Sequence, residues 1–356
     1  MASGGDARRV AILLPSLRYG GAERVALTLA KALRDELGMQ VEFLLMRAEG
    51  EFLREASDGF EVVDLRCDRT WKLPGRLLSR MRRSRPDVLL SSFWKLNLCA
   101  CVAKALRPSL RLLLWEHSLI GKSANSPVAL FAPTASAAYR IAHAVICVST
   151  GVRDDIARHS RGLRRRLVVI PNPIQPPDPG LVASVAGMAG DTIAWVGRMA
   201  PAKNPGLLLE AFAMIAARCD GSLLYIGDGG ERAALERRVA ELGLGERVRF
   251  AGYQADPYPL LAGCRLLAVT SDHEGFGNVL VEAMYCGLRV VSTDCGAGVR
   301  EILAGGRGTI VPVGDAVALA DAIRRELDAP ADKAAQRESA RRFLPAMVAR
   351  RFAELM

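Results

Sequence analysis

Short apolar runs alternate with amphipathic helical patterns along the whole chain. In the first half, runs at 10–14, 41–46, 61–65, 87–91, 111–115, 144–148 and 167–170 read as strands. Helical patterns lie between and after them, at 21–37, 76–84, 95–106, 134–142 and 150–159. The stretch Ile170-Pro-Asn-Pro-Ile-Gln-Pro-Pro-Asp-Pro-Gly180 then breaks the pattern. Five prolines in eleven residues continue neither strand nor helix, so this is the predicted linker. A second series follows, with strands at 192–196, 222–226, 247–250, 265–269, 289–292 and 308–311. Its helices fall at 204–218, 230–242, 256–262, 278–286, 297–303 and 315–328. Alternation of this kind predicts parallel sheets with helices on both faces.

The expected organisation is an α/β chain of two doubly wound, Rossmann-like domains. These are 1–172, a Pro-rich linker at 173–190, 191–331, and an amphipathic helical stretch at 332–356 that packs back on the N-terminal domain. Doubly wound domains take ligands beyond the carboxyl ends of their strands, so a cleft between the two domains is the expected place for chemistry. A length of 356 residues suits two cores better than one.

Composition narrows the class. Half the residues are hydrophobic and 24% are charged, as in globular chains. No apolar run reaches the length of a membrane span. The segment Arg8-Arg9-Val10-Ala-Ile-Leu-Leu14 ends in Pro15-Ser16-Leu17-Arg18 without a small-residue cleavage site, so it reads as the first strand rather than a signal peptide. The eight cysteines form no Cys-x-x-Cys pair and several sit in strand-like runs, which predicts buried free thiols in a reducing, cytoplasmic setting. With four histidines and no cluster at ligand spacing, no metal site is expected.

The net charge of +10 is uneven. Residues 1–178 hold 28 Lys and Arg against 17 Asp and Glu, a net of +11. Arg76, Arg80 and Arg83 share a helical face at i, i+4 and i+7, with Leu77, Leu78 and Met81 interleaved. A second basic stretch runs from Arg153 to Arg166. Either an anionic membrane surface or plain solvation accounts for such faces. No recognition motif accompanies the charge, so nucleic acid is not expected as a partner.

The most informative chemistry lies in Ser271-Asp-His-Glu-Gly-Phe-Gly-Asn-Val-Leu-Val-Glu-Ala-Met-Tyr-Cys-Gly287. It follows the apolar run Leu266–Val269, a buried strand. Gly275 and Gly277 allow a tight turn, with Asn278 as the predicted N-cap of a helix ended by Gly287. Glu274 then lies in the strand-to-helix loop and Glu282 one turn into the helix. The helix amides between them form an anion seat flanked by carboxylates, which suits a phosphorylated sugar. For a single such turn, a solvated loop carboxylate and a helix-surface charge account for the same residues. Three further segments point to the same chemistry.

After the first strand, Gly20 and Gly21 open a helix in Leu17-Arg-Tyr-Gly-Gly-Ala-Glu-Arg-Val25, which is neither a dinucleotide fingerprint nor a P-loop. After the first strand of the second domain, Ala194-Trp-Val-Gly-Arg-Met-Ala-Pro-Ala-Lys-Asn204 places Arg198 and Lys203 in one loop. A guanidinium and an ammonium there suit a diphosphate leaving group. In Leu112-Leu-Leu-Trp-Glu-His-Ser118, His117 ends a strand of the first domain.

Together these segments resemble the retaining family 4 glycosyltransferases of the GT-B fold. The matching motifs are Gly20-Gly21-Ala-Glu-Arg24, Gly197-Arg198 with Lys203, Gly227-Asp-Gly229, Glu274-Gly-Phe-Gly277 and Glu282, over essentially the whole chain. The resemblance implies that Glu274 takes donor-sugar hydroxyls and Glu282 the ribose. It implies that Arg198 and Lys203 hold the diphosphate with the amides of Gly277, Asn278 and Val279, beside Gly275 and Phe276. Gly21, with Gly20, would approach the donor phosphate or acceptor, and His117 the sugar near its 6-hydroxyl. The base would rest near Gly252-Tyr253. Where the family carries a His-Gly or similar turn, this chain has Glu116-His117-Ser118.

The expected activity is retaining transfer of a hexose or N-acetylhexosamine from a nucleotide-diphosphate sugar, UDP-linked ahead of GDP-mannose. The expected acceptor is lipid-linked or a glycan, in polysaccharide assembly at the inner membrane face. No Asp-x-Asp occurs, so side-chain cations are expected in place of a metal or cofactor. Two other classes are weighed. A nicotinamide-dependent dehydrogenase lacks its fingerprint here, and a non-catalytic sugar-nucleotide binder does not need the leaving-group cations.

Overall fold

A computed structural model describes residues 7–120, 136–180, 191–330 and 332–356. Part of the predicted linker, 181–190, and the start of the predicted 134–142 helix lie outside the described residues. The chain divides into two compact units, Met1–Ile174 with Phe343–Met356, and Gln175–Arg342.

In the first unit the strands are β1 (Arg9–Leu14), β2 (Gln40–Leu45), β3 (Glu61–Asp64), β4 (Val88–Ser92), β5 (Arg111–Glu116), β6 (Ala144–Cys147) and β7 (Leu167–Val169). They form one sheet in the order β3-β2-β1-β4-β5-β6-β7, with every neighbouring pair parallel. The second unit holds β8 (Thr192–Val196), β9 (Ser222–Ile226), β10 (Val248–Gly252), β11 (Leu266–Val269), β12 (Arg289–Thr293) and β13 (Thr309–Val311). Their order is β10-β9-β8-β11-β12-β13, again all parallel.

Both sheets therefore repeat one doubly wound order. Each reverses direction next to its first strand, between β1 and β4 and between β8 and β11. Loops diverge there and leave a crevice at the carboxyl ends. The central strands are buried on both faces, as β4 and β11 are throughout, which is why they read as continuous apolar runs.

The C-terminal stretch does not behave as one piece. Helix Pro345–Ala353 lies in the first unit, with the Phe352 ring 5.0 Å from that of Trp115 and the Arg351 guanidinium donating to the Val169 carbonyl at 2.6 Å. Arg111 also donates to the Leu355 carbonyl at 2.6 Å. Helix Lys333–Ala340 stays with the second unit, where the Gln336 amide donates to the Arg307 carbonyl at 2.9 Å. Arg342 is anchored to the carbonyls of Glu301 and Ile302, both at 2.9 Å, so the changeover falls at Arg342–Phe343. This corrects the expectation that all of 332–356 packs on the first domain.

The basic helix also needs correction. In helix Leu73–Ser84 the apolar stripe Leu73, Leu77 and Met81 is buried in the unit's own core. Arg80 is half-buried and held by Glu42 at 2.6 Å and Glu61 at 2.5 Å. Of the predicted triplet only Arg76 and Arg83 present exposed charge. The short helix Leu53–Ser57 was not foreseen, because five residues are too few to display a helical period.

Candidate active site

The second unit's crevice is built by loops after β8 and β11. Past β8 the chain makes a tight turn at Pro201–Lys203, stopped by Asn204 in the left-handed region (φ 43). The Asn204 side chain accepts from the Leu207 amide at 3.3 Å and so caps the helix Pro205–Ile215. This stop fixes where Lys203 leaves the backbone. Past β11, the Thr270 hydroxyl donates to the Lys203 carbonyl at 2.9 Å and accepts from the Trp195 indole at 3.0 Å. The Asp272 amide donates to the Ala202 carbonyl at 3.0 Å, so the two loops are tied by backbone as well.

On that scaffold the Lys203 ammonium is ion-paired with Glu274 Oε1, across the point where strand order reverses. The Ser271 hydroxyl donates to the same oxygen at 2.8 Å. The Glu274 amide donates to the Cys295 carbonyl at 2.8 Å, which anchors the loop to the end of β12. With the side chains 34% and 13% exposed, Lys203 and Glu274 are neither solvated nor sealed, so their charges interact more strongly than a surface pair.

The following helix, Asn278–Cys286, starts one residue earlier than predicted in its capping. Gly277 is the N-cap at φ 98, a conformation that Asn278 would adopt less readily, and Asn278 is the first helical residue. Leu280, Val281, Ala283 and Met284 are buried, while Asn278, Val279 and Glu282 are half-buried on one face at i, i+1 and i+4. Burial pushes the Tyr258 hydroxyl well above its usual range, and the negative charge of Glu282 adds to it. Gly275 is half-buried and Phe276 is buried in the connecting turn. Arg198 is exposed and makes no ion pair among the described residues, so the sequence-predicted pair of cations is split. Lys203 is already matched to a carboxylate; Arg198 is not.

The ends of β8, β9 and β10 interlock through glycine. Gly197 donates to the Ile226 carbonyl at 3.0 Å, and Gly227 to the Gly252 carbonyl at 2.8 Å. At Gly227, with φ 142, a Cβ would lie 1.8 Å from the Gly197 carbonyl oxygen. Tyr253 follows Gly252 and is 43% exposed.

The first unit's edge is of another kind. Glu116 at the end of β5 is buried, and Oε1 accepts from the Asn97 amide at 2.8 Å and the Tyr139 hydroxyl at 2.5 Å. Burial raises its pKa to about 7 despite those two donors. His117 is half-buried against Trp115 at 4.6 Å and Phe93 at 6.1 Å between ring centroids. Burial pushes its pKa down to about 3, so the imidazole is neutral at physiological pH. Its Nε2 has no hydrogen-bond partner among the described residues. Phe93 sits at φ 72, strain of a kind that collects at functional edges. Gly20 caps helix Gly21–Asp35 with extended backbone (φ −164). The loop before it is braced by Glu51 accepting from the Tyr19 amide at 2.8 Å.

The residues that sequence reasoning missed are supports. Thr270, Ser271 and Asn204 hold Lys203 and Glu274, and Glu116, Asn97 and Tyr139 lie under His117's strand end. Ser271 stood in the predicted segment. Asn204 and Glu116 also lay in segments singled out from the sequence, and Asn204 caps an amide only three residues on. Thr270, Asn97 and Tyr139 carry no local signal, because their partners are 19 to 75 residues away. All eight cysteines are free thiols. Among the described residues no group of three or more His, Cys, Asp or Glu side chains is gathered as metal ligands, and no helix is long and apolar enough to cross a membrane.

Residues 19–176 match the family described as Glycosyltransferase Family 4, and residues 190–329 match Glycosyl transferases group 1. The lipopolysaccharide core biosynthesis glycosyltransferase LpsE of Rhizobium meliloti is 30% identical over 318 residues, spanning 86% of this chain and 85% of that protein. The chain belongs to glycosyltransferase family 4. A second relative, from Campylobacter jejuni, is 28% identical over 83% of each chain. It is an N-acetylgalactosamine-N,N'-diacetylbacillosaminyl-diphospho-undecaprenol 4-alpha-N-acetylgalactosaminyltransferase. Among solved structures, Anabaena Alr3699/HepE in complex with UDP-glucose superposes with a TM-score of 0.82 at 23% identity, covering 97% of this chain and 98% of that one. The glycosyltransferase WaaG, involved in lipopolysaccharide biosynthesis, gives 0.68 at 18%, covering 98% and 95%. The fold is thus the two-domain GT-B α/β fold. The activity is glycosyl transfer, and the relatives group this family 4 enzyme with those of glycan biosynthesis.

Proposed function

We propose that this glycosyltransferase moves a hexose or N-acetylhexosamine from a UDP-linked donor to a lipid-linked or glycan acceptor. Transfer proceeds with retention, without a metal, at the inner membrane face. The observation that carries the reading is the Lys203–Glu274 pair joining the β8 and β11 loops, with the exposed Arg198 in the same β8 loop and a helix starting from the β11 loop. The Campylobacter relative's diphospho-undecaprenol acceptor and the UDP-glucose held by the Anabaena protein favour the acceptor and donor classes.

In this reading the bond between the sugar C1 and the diphosphate oxygen breaks, and negative charge grows on the departing phosphate. Arg198, Lys203 and the positive end of the helix dipole at Gly277, Asn278 and Val279 stabilise that charge. Glu274, oriented by Lys203 and Ser271, accepts from hydroxyls of the transferred sugar, and Glu282 from those of the ribose. The base rests on Gly252-Tyr253. The acceptor hydroxyl attacks from the leaving-group face and its proton passes to the departing phosphate oxygen, so C1 keeps its configuration. His117, neutral, serves as a hydrogen-bonding group for a sugar hydroxyl. The Gly20-Gly21 loop takes the acceptor side.

The test is a panel of UDP-, GDP- and ADP-sugars with a lipid-linked acceptor, reading nucleotide release with and without EDTA and the product anomer by NMR. Turnover confined to UDP-sugars, indifferent to EDTA and retaining, is the expected result. Preference for another base, loss of turnover in EDTA, or an inverted anomer would each remove the corresponding part.

A further inference from the structure

Arg232 follows the Gly227-Asp-Gly229 turn at the carboxyl edge of the second sheet. It opens helix Arg232–Glu241, three residues beyond Gly229. Its Nη1 donates to Asp228 at 3.1 Å and its Nε to Glu236 at 2.8 Å, so two carboxylates set the plane of the guanidinium. The guanidinium carbon lies 5.8 Å from the centre of the Phe250 ring, and Phe250 in turn stacks on the buried Tyr225 at 5.1 Å and 8°. Cation and rings thus form one pile rooted in the core. Nη2 has no hydrogen-bond partner among the described residues.

What lies beside this pile is bare backbone. Gly252 holds φ 70, where a side chain is strained, and a Cβ there would stand 3.6 Å from Arg232 Nη1. A flat, planar donor therefore borders a floor with no side chain, next to the exposed Tyr253. A heterocycle fits such a place, since a guanidinium offers both a face for stacking and paired N–H donors at its edge.

We infer that Arg232 is a specificity-determining residue for the nucleobase, favouring a base that presents a carbonyl oxygen to it, as uracil does with O4 and guanine with O6, over adenine, whose N6 amino group stands there instead. This inference rests on the proposed seating of the base at Gly252-Tyr253. The two N–H groups of Nη2 only donate, so they match O4 of uracil or O6 of guanine. They have nothing to accept the N6 amino hydrogens of adenine. A site whose donor lacks an acceptor discriminates strongly, because the mismatch leaves a polar group unpaired.

The experiment is calorimetric titration of UDP, GDP and ADP into the wild-type chain, Arg232→Ala and Arg232→Lys, with circular dichroism confirming that both variants fold. The wild type should bind UDP at least about tenfold more tightly than ADP, a factor worth about 1.4 kcal/mol. Both variants should lose about tenfold for UDP and little for ADP, so the ratio collapses. Lysine keeps the charge but not the plane or the paired donors, and full recovery by lysine would overturn the inference. An unchanged UDP-to-ADP ratio in Arg232→Ala would overturn it too, while leaving the proposed donor site standing. A wild type that binds none of the three nucleotides would instead remove the donor-site reading itself.

Discussion

The carboxyl edges of the two sheets share a strand order but not a chemistry. In the second unit the edge is ionic: Lys203 meets Glu274, Arg232 meets Asp228 and Glu236, and glycines let the strand ends touch. In the first unit the end of β5 is of another kind: burial holds the His117 imidazole neutral, and Glu116 is raised to about 7 within a buried triad. One topology therefore supports two kinds of site, and the difference lies in which side chains end the strands. In the proposed reaction, charge that stabilises a departing diphosphate sits on the ionic edge, and the neutral end of β5 suits sugar hydroxyls.

The sharpest way to break this contrast is Glu274→Ala. It should lower kcat by about 100- to 1,000-fold, the range for losing one preorganised polar group, with UDP affinity within a few-fold of wild type. A variant with near-normal turnover would strip the ionic edge of its meaning. Next in size is Gly227→Ala, which forces a Cβ against the Gly197 carbonyl at an unfavourable φ. A loss of about 3–5 kcal/mol in urea unfolding is expected. In the first unit Gly20→Ala should cost far less, because its backbone is extended and the neighbour that must yield is the flexible Glu23 carboxylate.

The end of β5 predicts an unusual pH response. Glu116 is raised from 4.5 to about 7, so the folded state holds a proton that the unfolded state has released. Its contribution is complete below pH 4.5 and is lost as pH rises towards 7. His117 is lowered from 6.5 to about 3, so its contribution is complete above pH 6.5 and is lost as pH falls towards 3. Between pH 4.5 and 6.5 the two slopes oppose each other. Glu116→Gln should therefore make stability rise with pH across that window, and His117→Phe should make it fall. The slopes are read from urea midpoints, and parallel profiles in the two variants would contradict the assignment.

Arg80→Ala should destabilise by about 1–3 kcal/mol, since it strands the buried Glu42. Arg76→Glu with Arg83→Glu should stay within about 0.5 kcal/mol in stability, as exposed positions do. If the first unit meets an anionic membrane as proposed, the same pair should weaken binding to phosphatidylserine vesicles by about 1 kcal/mol per charge, read by cosedimentation. Unchanged sedimentation would leave these arginines as solvated surface.

Apolar runs alone revealed all thirteen strands that the structure describes, to within one or two residues, and most plainly the central ones, because strands buried on both faces must be apolar throughout. The positions of Glu274, Arg198 and Lys203 in the loops after strands, and of Glu282 in the helix that follows, were equally legible, since each comes after such a run. Which charges meet was not. Lys203 and Glu274 are 71 residues apart, and only the reversal of strand order between β8 and β11 brings their loops together. The split of the C-terminal stretch at Arg342–Phe343, the capture of Arg80 by Glu42 and Glu61, and the shift of the cap from Asn278 to Gly277 were likewise decided in three dimensions. Local pattern specifies what a segment buries. Pairing between distant polar groups depends on where the packed sheet delivers them, and one-dimensional spacing carries no record of that.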